Sequence, residues 1–118
     1  FAPHRHGHVV TAFLVLKGLF LFRHYDRLQA HGDHMIIRPT IDESFTVGGC
    51  STVSDEKDNV HWFKATSETG FIFNIHVLNV VEGRKTGRVY VDPDGEALSG
   101  DRIRARKLKA AEAYKLYG

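Results

Sequence analysis

Short apolar runs, separated by glycine, proline and charged residues, occupy most of the chain as far as residue 92. The run over 8–16 is unbroken and rich in β-branched side chains, which predicts a buried strand. Lys17 and Gly18 predict a turn into a second strand over 19–26, so the two strands are expected to form a hairpin. The further strands that this pattern predicts cover 34–38, 45–53, 60–66, 70–79 and 88–92.

The breaks in this pattern predict where the elements end. Polar residues 27–33 predict a loop, and Pro39 is expected to end the strand that begins at residue 34, because proline has no N–H to donate to a ladder. From Ser99 the composition changes, and 102–117 is rich in strong helix formers. The sequence therefore predicts an all-β, mainly antiparallel barrel or sandwich over residues 1–98, with 99–118 as a C-terminal helix packed on it.

Composition and charge narrow the class of protein. Hydrophobic residues make up 42% and charged residues 25%, which is typical of a soluble globular domain. A net charge of +2 gives no electrostatic case for nucleic acid or a membrane as partner, and the basic run 102–109 is interpreted as a solvated helix face. No apolar segment reaches the roughly 18 residues that span a bilayer. The single cysteine, Cys50, excludes an intrachain disulfide, favours the reducing cytoplasm and is expected to be buried.

Histidines at two places in the chain are the strongest chemical signal. His4 and His6 are separated by one residue, so on a strand they project to the same side. A third histidine, His61, stands in the aromatic stretch 60–63. Neutral imidazoles suit iron, zinc, nickel and copper, and a set of three leaves coordination positions open for substrate. His8 is either an alternative ligand or a partly exposed histidine at a strand start, and a solvated N-terminus is the alternative for the whole motif.

Two motifs resemble those of the cupin superfamily. In the first, His4-Arg5-His6 is followed by eleven residues and then Gly18, and the segment 23–26 (RHYD) ends the next strand. In the second, 58–65 (DNVHWFKA) is similar to the pattern GGNxHxFxA. Both look most like the thiol dioxygenases, within these the branch of plant cysteine oxidases and cysteamine dioxygenase. The resemblance implies a cupin-type barrel, also called a double-stranded β-helix or jelly roll.

The resemblance also implies a site and a reaction. The implied cofactor is one Fe(II) on His4, His6 and His61, and the implied reaction inserts both atoms of dioxygen into a thiol to give a sulfinate. By position, Thr11 stands where many cupins have a carboxylate ligand, Phe73 where the branch has an aspartate, and Tyr25 in the family's Tyr-Asp pair. These three positions are the expected catalytic residues besides the metal ligands. Because a cupin barrel needs strands before its first motif, we expect residues upstream of Phe1, or a partner chain, to supply that edge.

Three functions remain open from the sequence. The first is an Fe(II) dioxygenase that acts on a small thiol with O2. The second is another metal-cupin enzyme (a lyase, isomerase or carbon-oxidising dioxygenase) that uses Zn, Ni or Mn on a small carboxylate held by Arg38, Lys64 or Arg88. The third is a non-enzymatic ligand-sensing or interaction barrel. Cupins often pair through edge strands, so the resemblance also favours a homodimer. Four histidines are expected outside the site: His24, His31 and His34 on the surface, and His76 as a hydrogen-bonded core or edge residue.

Overall fold

The fold is mostly strand (61%) in a computed structural model that describes residues 2–7, 9–54, 57, 59–78 and 88–118. The strands are β1 (His4–His6), β2 (Val10–Lys17), β3 (Phe20–His31), β4 (His34–Phe45), β5 (Cys50–Val53), β6 (Val60–Ala65), β7 (Phe71–Val77), β8 (Arg88–Val91), β9 (Glu96–Ala97) and β10 (Ile103–Leu108). One helix, α1 (Ala110–Tyr117), follows them. The predicted loop over 82–85, the last residue of the strand predicted over 70–79 and His8 lie outside the described residues.

The strands form a closed antiparallel barrel with a second sheet beside it. The order β4-β3-β6-β1-β8-β10 closes on itself because β10 also pairs with β4, and β9 adds to the outer edge of β10. The second sheet has the order β5-β2-β7. This confirms the predicted all-β, antiparallel barrel with a C-terminal helix.

The predicted hairpin between the first two long strands is wrong. β2 pairs with β5 and β7, whereas β3 pairs with β4 and β6, so the turn carries the chain from one sheet to the other. The turn itself lies where it was predicted, and Gly18 adopts a φ of +88° there. A Cβ at Gly18 would also collide with the carbonyl oxygen of Thr69, so only glycine fits.

The third and fourth strands are longer than the sequence suggested. β3 continues through the predicted loop as far as His31, and β4 continues past Pro39 to Phe45. Among the described strands, β4 pairs with β10 only as far as Ile37. At Pro39, β4 therefore pairs with β3 alone among them, and its other edge is unpaired. A proline without an N–H is tolerated in such an edge segment, which explains why the strand does not end there.

The helix predicted over 99–118 is wrong for its first half. Residues 103–108 form β10, whose alternation buries Ala105 between the exposed Arg104 and Arg106. Leu108, three positions after Ala105, is buried on the other face, against the helix. Strong helix propensity is therefore overridden by pairing with β4 and β8, and the barrel extends beyond residue 98 to Leu108. No helix in the described part of the chain is long and apolar enough to cross a membrane.

Three apolar clusters hold these elements together. The cluster between the barrel strands and the second sheet is rich in phenylalanine; its members are Phe13, Val15, Phe20, Phe22, Val53 and Phe63. The second cluster lies among β3, β4, β6, β8 and β10; its members are Tyr25, Met35, Ile37, Val60, Val91 and Ala105. The helix packs through Ala113 against Ala2 and Leu108. Cys50, which was expected to be buried, is exposed.

Candidate functional site

Three histidines form a row across three neighbouring strands. On β1, β6 and β3, His4 is the register partner of His61, and His61 is the partner of His24. Directly opposed residues of antiparallel strands project to the same face, so the three imidazoles share one face of the barrel sheet. That face is turned toward the second sheet, because the ring of Phe13 lies 5.3 Å from that of His61. All three side chains are buried, with exposed fractions of 2%, 2% and 1% for His4, His61 and His24.

His4 and His61 make the closest contact in this row. Their Nε2 atoms lie 3.1 Å apart, and their ring centroids lie 4.5 Å apart. Nδ1 of His4 is 2.7 Å from the carbonyl oxygen of Ala2. A carbonyl only accepts, so this Nδ1 carries the proton, and the lone pair of the neutral ring lies on Nε2, which faces His61.

The same geometry fits a shared metal ion. Two adjacent ligands at about 2.1 Å from an octahedral ion lie about 3.0 Å from each other, close to the observed separation. Without an ion, the distance also fits a hydrogen bond in which Nε2 of His61 donates to Nε2 of His4. Fixing a ligand's tautomer through its other ring nitrogen, as Ala2 does for His4, is a regular feature of metal-binding histidines.

The third predicted ligand is placed only by its backbone. His6 lies in β1 as the register partner of Arg88, and its side chain lies outside the described part of the structure. His8 lies outside it altogether. Among the described residues, no group of three or more histidine, cysteine, aspartate or glutamate side chains is arranged to hold a metal ion. Of the predicted ligands, the structure therefore brings His4 and His61 together, and the roles of His6 and His8 stay predictions.

His24 was expected on the surface, and this prediction is wrong. Its ring lies 6.1 Å from that of His61, and its Nδ1 is 3.4 Å from the hydroxyl of Ser51 on the second sheet. The missed signal was alternation: Phe20, Phe22 and His24 occupy every second position of β3, so a buried phenylalanine face continues into the histidine.

A cavity of about 140 Å³ opens beside His4 and His61. The barrel sheet contributes these two rings and Phe63, and the second sheet contributes Phe13 beside its polar register partner Asn74. Its lining residues are His4, Phe13, His61, Phe63, Asn74, His76 and Arg88. A small site with apolar walls and a few convergent polar groups is typical of ligand pockets.

Thr11 acts on this cavity through His76. Thr11 is fully buried, and its hydroxyl lies 2.9 Å from Nδ1 of His76, which is its register partner on β7. Thr11 is not among the residues that line the cavity, whereas His76 is. The threonine thus orients the imidazole ring that forms part of the cavity wall.

Two residues expected at the site lie elsewhere. Phe73 alternates with the cavity-lining Asn74, so it projects from the opposite face of β7 and is 52% exposed. Tyr25 follows His24 along β3, and it packs in the second apolar cluster beside Val60. Burial raises the pKa of the Tyr25 phenol, which therefore stays neutral at physiological pH.

Arg88 is the one predicted anion-binding residue that lines the cavity. Arg38 lies 3.8 Å from the carboxylate of Asp26, and Lys64 is exposed on β6. Next to Arg88, Tyr90 continues the histidine row, with its ring 5.6 Å from that of His4. The hydroxyl of Tyr114 and, to a smaller extent, the Arg88 guanidinium lower the pKa of Tyr90.

Comparison of the sequence with protein-family models gives no match, and comparison with curated proteins gives none either. The case for a function therefore depends on the two sequence motifs and on the geometry of the histidine cavity.

Proposed function

We propose that this chain is a cupin-type, non-haem Fe(II) dioxygenase that oxidises a small thiol with O2. In this proposal His4, His6 and His61 hold the metal ion. The observation that supports it best is the 3.1 Å separation of the two Nε2 atoms, because two buried imidazoles at this distance suit one shared cation. The reaction balances without a further reductant: one thiol and one O2 give one sulfinic acid.

The protein's part in this chemistry is to present neutral imidazoles in a dry site. The carbonyl oxygen of Ala2 holds Nδ1 of His4, so that Nε2 remains available as a ligand. Phe13 and Phe63, whose rings lie 5.5 Å apart between the two sheets, make part of the lining apolar, which strengthens electrostatic interactions within the cavity. When bound, a ferrous ion would supply the Lewis-acid and redox chemistry that oxygen transfer to sulfur requires.

The substrate that this cavity suits best is a small thiol that carries an acidic group. A volume of about 140 Å³ admits a molecule of a few heavy atoms. Arg88 and Asn74, both in the lining, offer donors to a carboxylate. We therefore expect cysteine or 3-mercaptopropionate to be better substrates than cysteamine or a peptide with an N-terminal cysteine. The exposed thiol of Cys50 would stay reduced in the cytoplasm, which is the compartment that we propose.

Oxygen uptake by iron-loaded protein, purified without a histidine tag, tests this proposal. We expect thiol-dependent uptake of O2 with formation of one sulfinate per O2 consumed. His61→Gln should abolish uptake, whereas His31→Gln, which changes an exposed histidine, should leave it unchanged. Absence of uptake with all four thiols would overturn the dioxygenase proposal.

The presence of Arg88 in the cavity also favours a second candidate function. A different metal-cupin enzyme, such as a lyase, an isomerase or a carbon-oxidising dioxygenase, would use the same histidines on a small carboxylate without sulfur. Turnover of a carboxylate by protein loaded with Zn, Ni or Mn, together with no uptake of O2 on thiol addition, would select this candidate.

A further inference from the structure

The polar and apolar faces of β7 are reversed over residues 73–77. On the face turned to the cavity this segment carries Asn74 and His76, both polar, whereas Ile72, on the same face, packs against the phenylalanine-rich cluster. On the opposite face it carries Phe73, Ile75 and Val77, which are 52%, 52% and 53% exposed. An antiparallel sheet with one solvated face normally has its apolar residues inward and its polar residues outward. The polar residues on the inner side line the cavity, which accounts for their position. The exposed apolar residues on the outer side are typical of a surface that packs against a partner.

The outer face of the second sheet extends this apolar surface over three strands. Leu14 is the register partner of Phe73, and Ala12 is the partner of Ile75. On the other side of β2, Leu14 is the partner of Cys50, and Ala12 is the partner of Thr52. The outward positions at 10–16 on β2, 50–52 on β5 and 73–77 on β7 include no charged side chain. At one end of the face, the ammonium group of Lys17 lies 5.8 Å from the centre of the ring of Phe71, its register partner. A shallow groove of about 300 Å³ runs between these strands.

The area of this face is close to one side of a dimer interface. Its exposed side chains are Leu14, Leu16, Phe71, Phe73, Ile75 and Val77. At roughly half exposure each, they present on the order of 600 Å² of apolar surface, which is the upper end of what a monomer normally exposes. A stable protein–protein interface buries about 800 Å² on each partner. The surrounding polar rim can supply the difference.

We infer that this outer face packs against the same face of a second copy of the chain, in a two-fold symmetric dimer. A two-fold interface brings one surface against itself, so like charges at its centre would repel their own copies. The centre of this face, around Leu14, Phe73 and Ile75, is uncharged. Two sheets that stack through apolar faces also reproduce the packing of a β-sandwich. A small apolar molecule could fill the groove, but it would leave Leu16, Phe71 and Val77 exposed, because these residues lie outside the groove lining.

Sedimentation velocity over a range of protein concentrations tests the inference. We expect a dimer for the unaltered chain, and a monomer for Phe73→Glu and for Ile75→Lys. Each charge would be buried at the centre of the interface, so dimer affinity should fall at least about 100-fold. The matched control is Leu28→Glu, an exposed leucine on β3 in the other sheet, which should remain dimeric. Far-UV circular dichroism of each variant confirms that the substitution of an exposed residue leaves the fold intact.

The rate at which Cys50 reacts with a maleimide gives a second readout. The thiol is exposed in the single chain and lies on the proposed interface. Labelling should slow at least about tenfold as the protein concentration rises through the dimerisation range, and Phe73→Glu should label fast at every concentration. A monomer at all concentrations, a dimer that both charge substitutions leave intact, or a monomer that binds a fatty acid in this groove would each overturn the inference.

Discussion

The Nε2 atoms of His4 and His61 lie 3.1 Å apart, although 57 positions separate the two residues in the chain. Their strands are neighbours in the barrel sheet, and their register sets the rings side by side. A buried pair of imidazoles at this distance requires something between the two nitrogens, either a proton or a metal ion. The carbonyl oxygen of Ala2 accepts a hydrogen bond from Nδ1 of His4. The lone pair of His4 therefore lies on Nε2, where it suits a cation that both rings share.

Arg88→Gln should impair the binding of acidic substrates selectively. If the guanidinium holds a carboxylate, its loss removes a charge-assisted hydrogen bond of about 1.5–3 kcal/mol, which corresponds to a rise in KM of about 10- to 150-fold. We expect this rise for 3-mercaptopropionate and not for cysteamine, measured by oxygen uptake. Arg38→Gln is the matched control, because Arg38 is paired with Asp26 outside the cavity lining. An equal effect on both thiols would show that Arg88 does not recognise the acidic group.

Thr11→Val should disturb the cavity wall without reshaping the core. Valine is close to threonine in shape but lacks the hydroxyl that holds Nδ1 of His76. We expect a loss of about 1 kcal/mol in the free energy of unfolding. Loss of this hydrogen bond removes one constraint on a ring of the cavity wall, so the KM for the thiol should rise in the oxygen-uptake assay. Thr11→Ser keeps the hydroxyl, and it should restore the KM of the unaltered chain. Equal KM values for the valine and serine variants would contradict a positioning role for Thr11.

Tyr117→Phe should loosen the C-terminal helix. The Tyr117 hydroxyl donates to the carboxylate of Asp92, and it lies 2.9 Å from that of Asp94. Removal of this donor breaks the hydrogen bonds to two carboxylates that water can still reach, at a cost of about 0.5–1.5 kcal/mol in the free energy of unfolding. Urea unfolding followed by fluorescence measures this cost, since the ring of Trp62 lies 5.4 Å from that of Tyr117. Tyr114→Phe, which alters an exposed tyrosine of the same helix, should cost less.

The contribution of the Tyr117 contact to stability should also fall at high pH. Burial, together with the hydrogen bonds to Asp92 and Asp94, raises the pKa of Tyr117 above its ordinary value of 10.0. A phenol whose pKa is raised by folding contributes stability that is fully present below the unfolded value, and that is lost as pH rises above it. The stability difference between the unaltered chain and Tyr117→Phe should therefore be constant up to about pH 10 and shrink above it. A constant difference across this range would contradict the assigned contact.

Much of the fold could be predicted from the spacing of apolar residues. Short β-rich runs between turn signals gave the strands, and the turn at Gly18 was located correctly. The pairing of these strands could not be predicted from local sequence, because β2 pairs with β5 and β7, which lie far along the chain. At 103–108, strong helix propensity predicts a helix. The alternation of the exposed Arg104 and Arg106 with less exposed residues is the signal that indicates a strand there.

The candidate site was predicted in part for a similar reason. A one-residue spacing and an aromatic strand sufficed to select His4 and His61, because strand geometry fixes the direction of neighbouring side chains. His24 and Phe73 were misplaced, since each depends on which face of its strand is turned to the second sheet. A one-residue change of register exchanges the two faces, so this information becomes available only with the tertiary pairing.

Anaerobic titration of tag-free protein with Fe(II), or with Co(II) as a coloured substitute, tests the proposed metal site most directly. We predict one ion per chain. The affinity should fall at least about 100-fold in His4→Gln, His6→Gln and His61→Gln, and it should be unchanged in the control His31→Gln. Binding that survives the loss of His61, or no stoichiometric binding by the unaltered chain, would contradict the account.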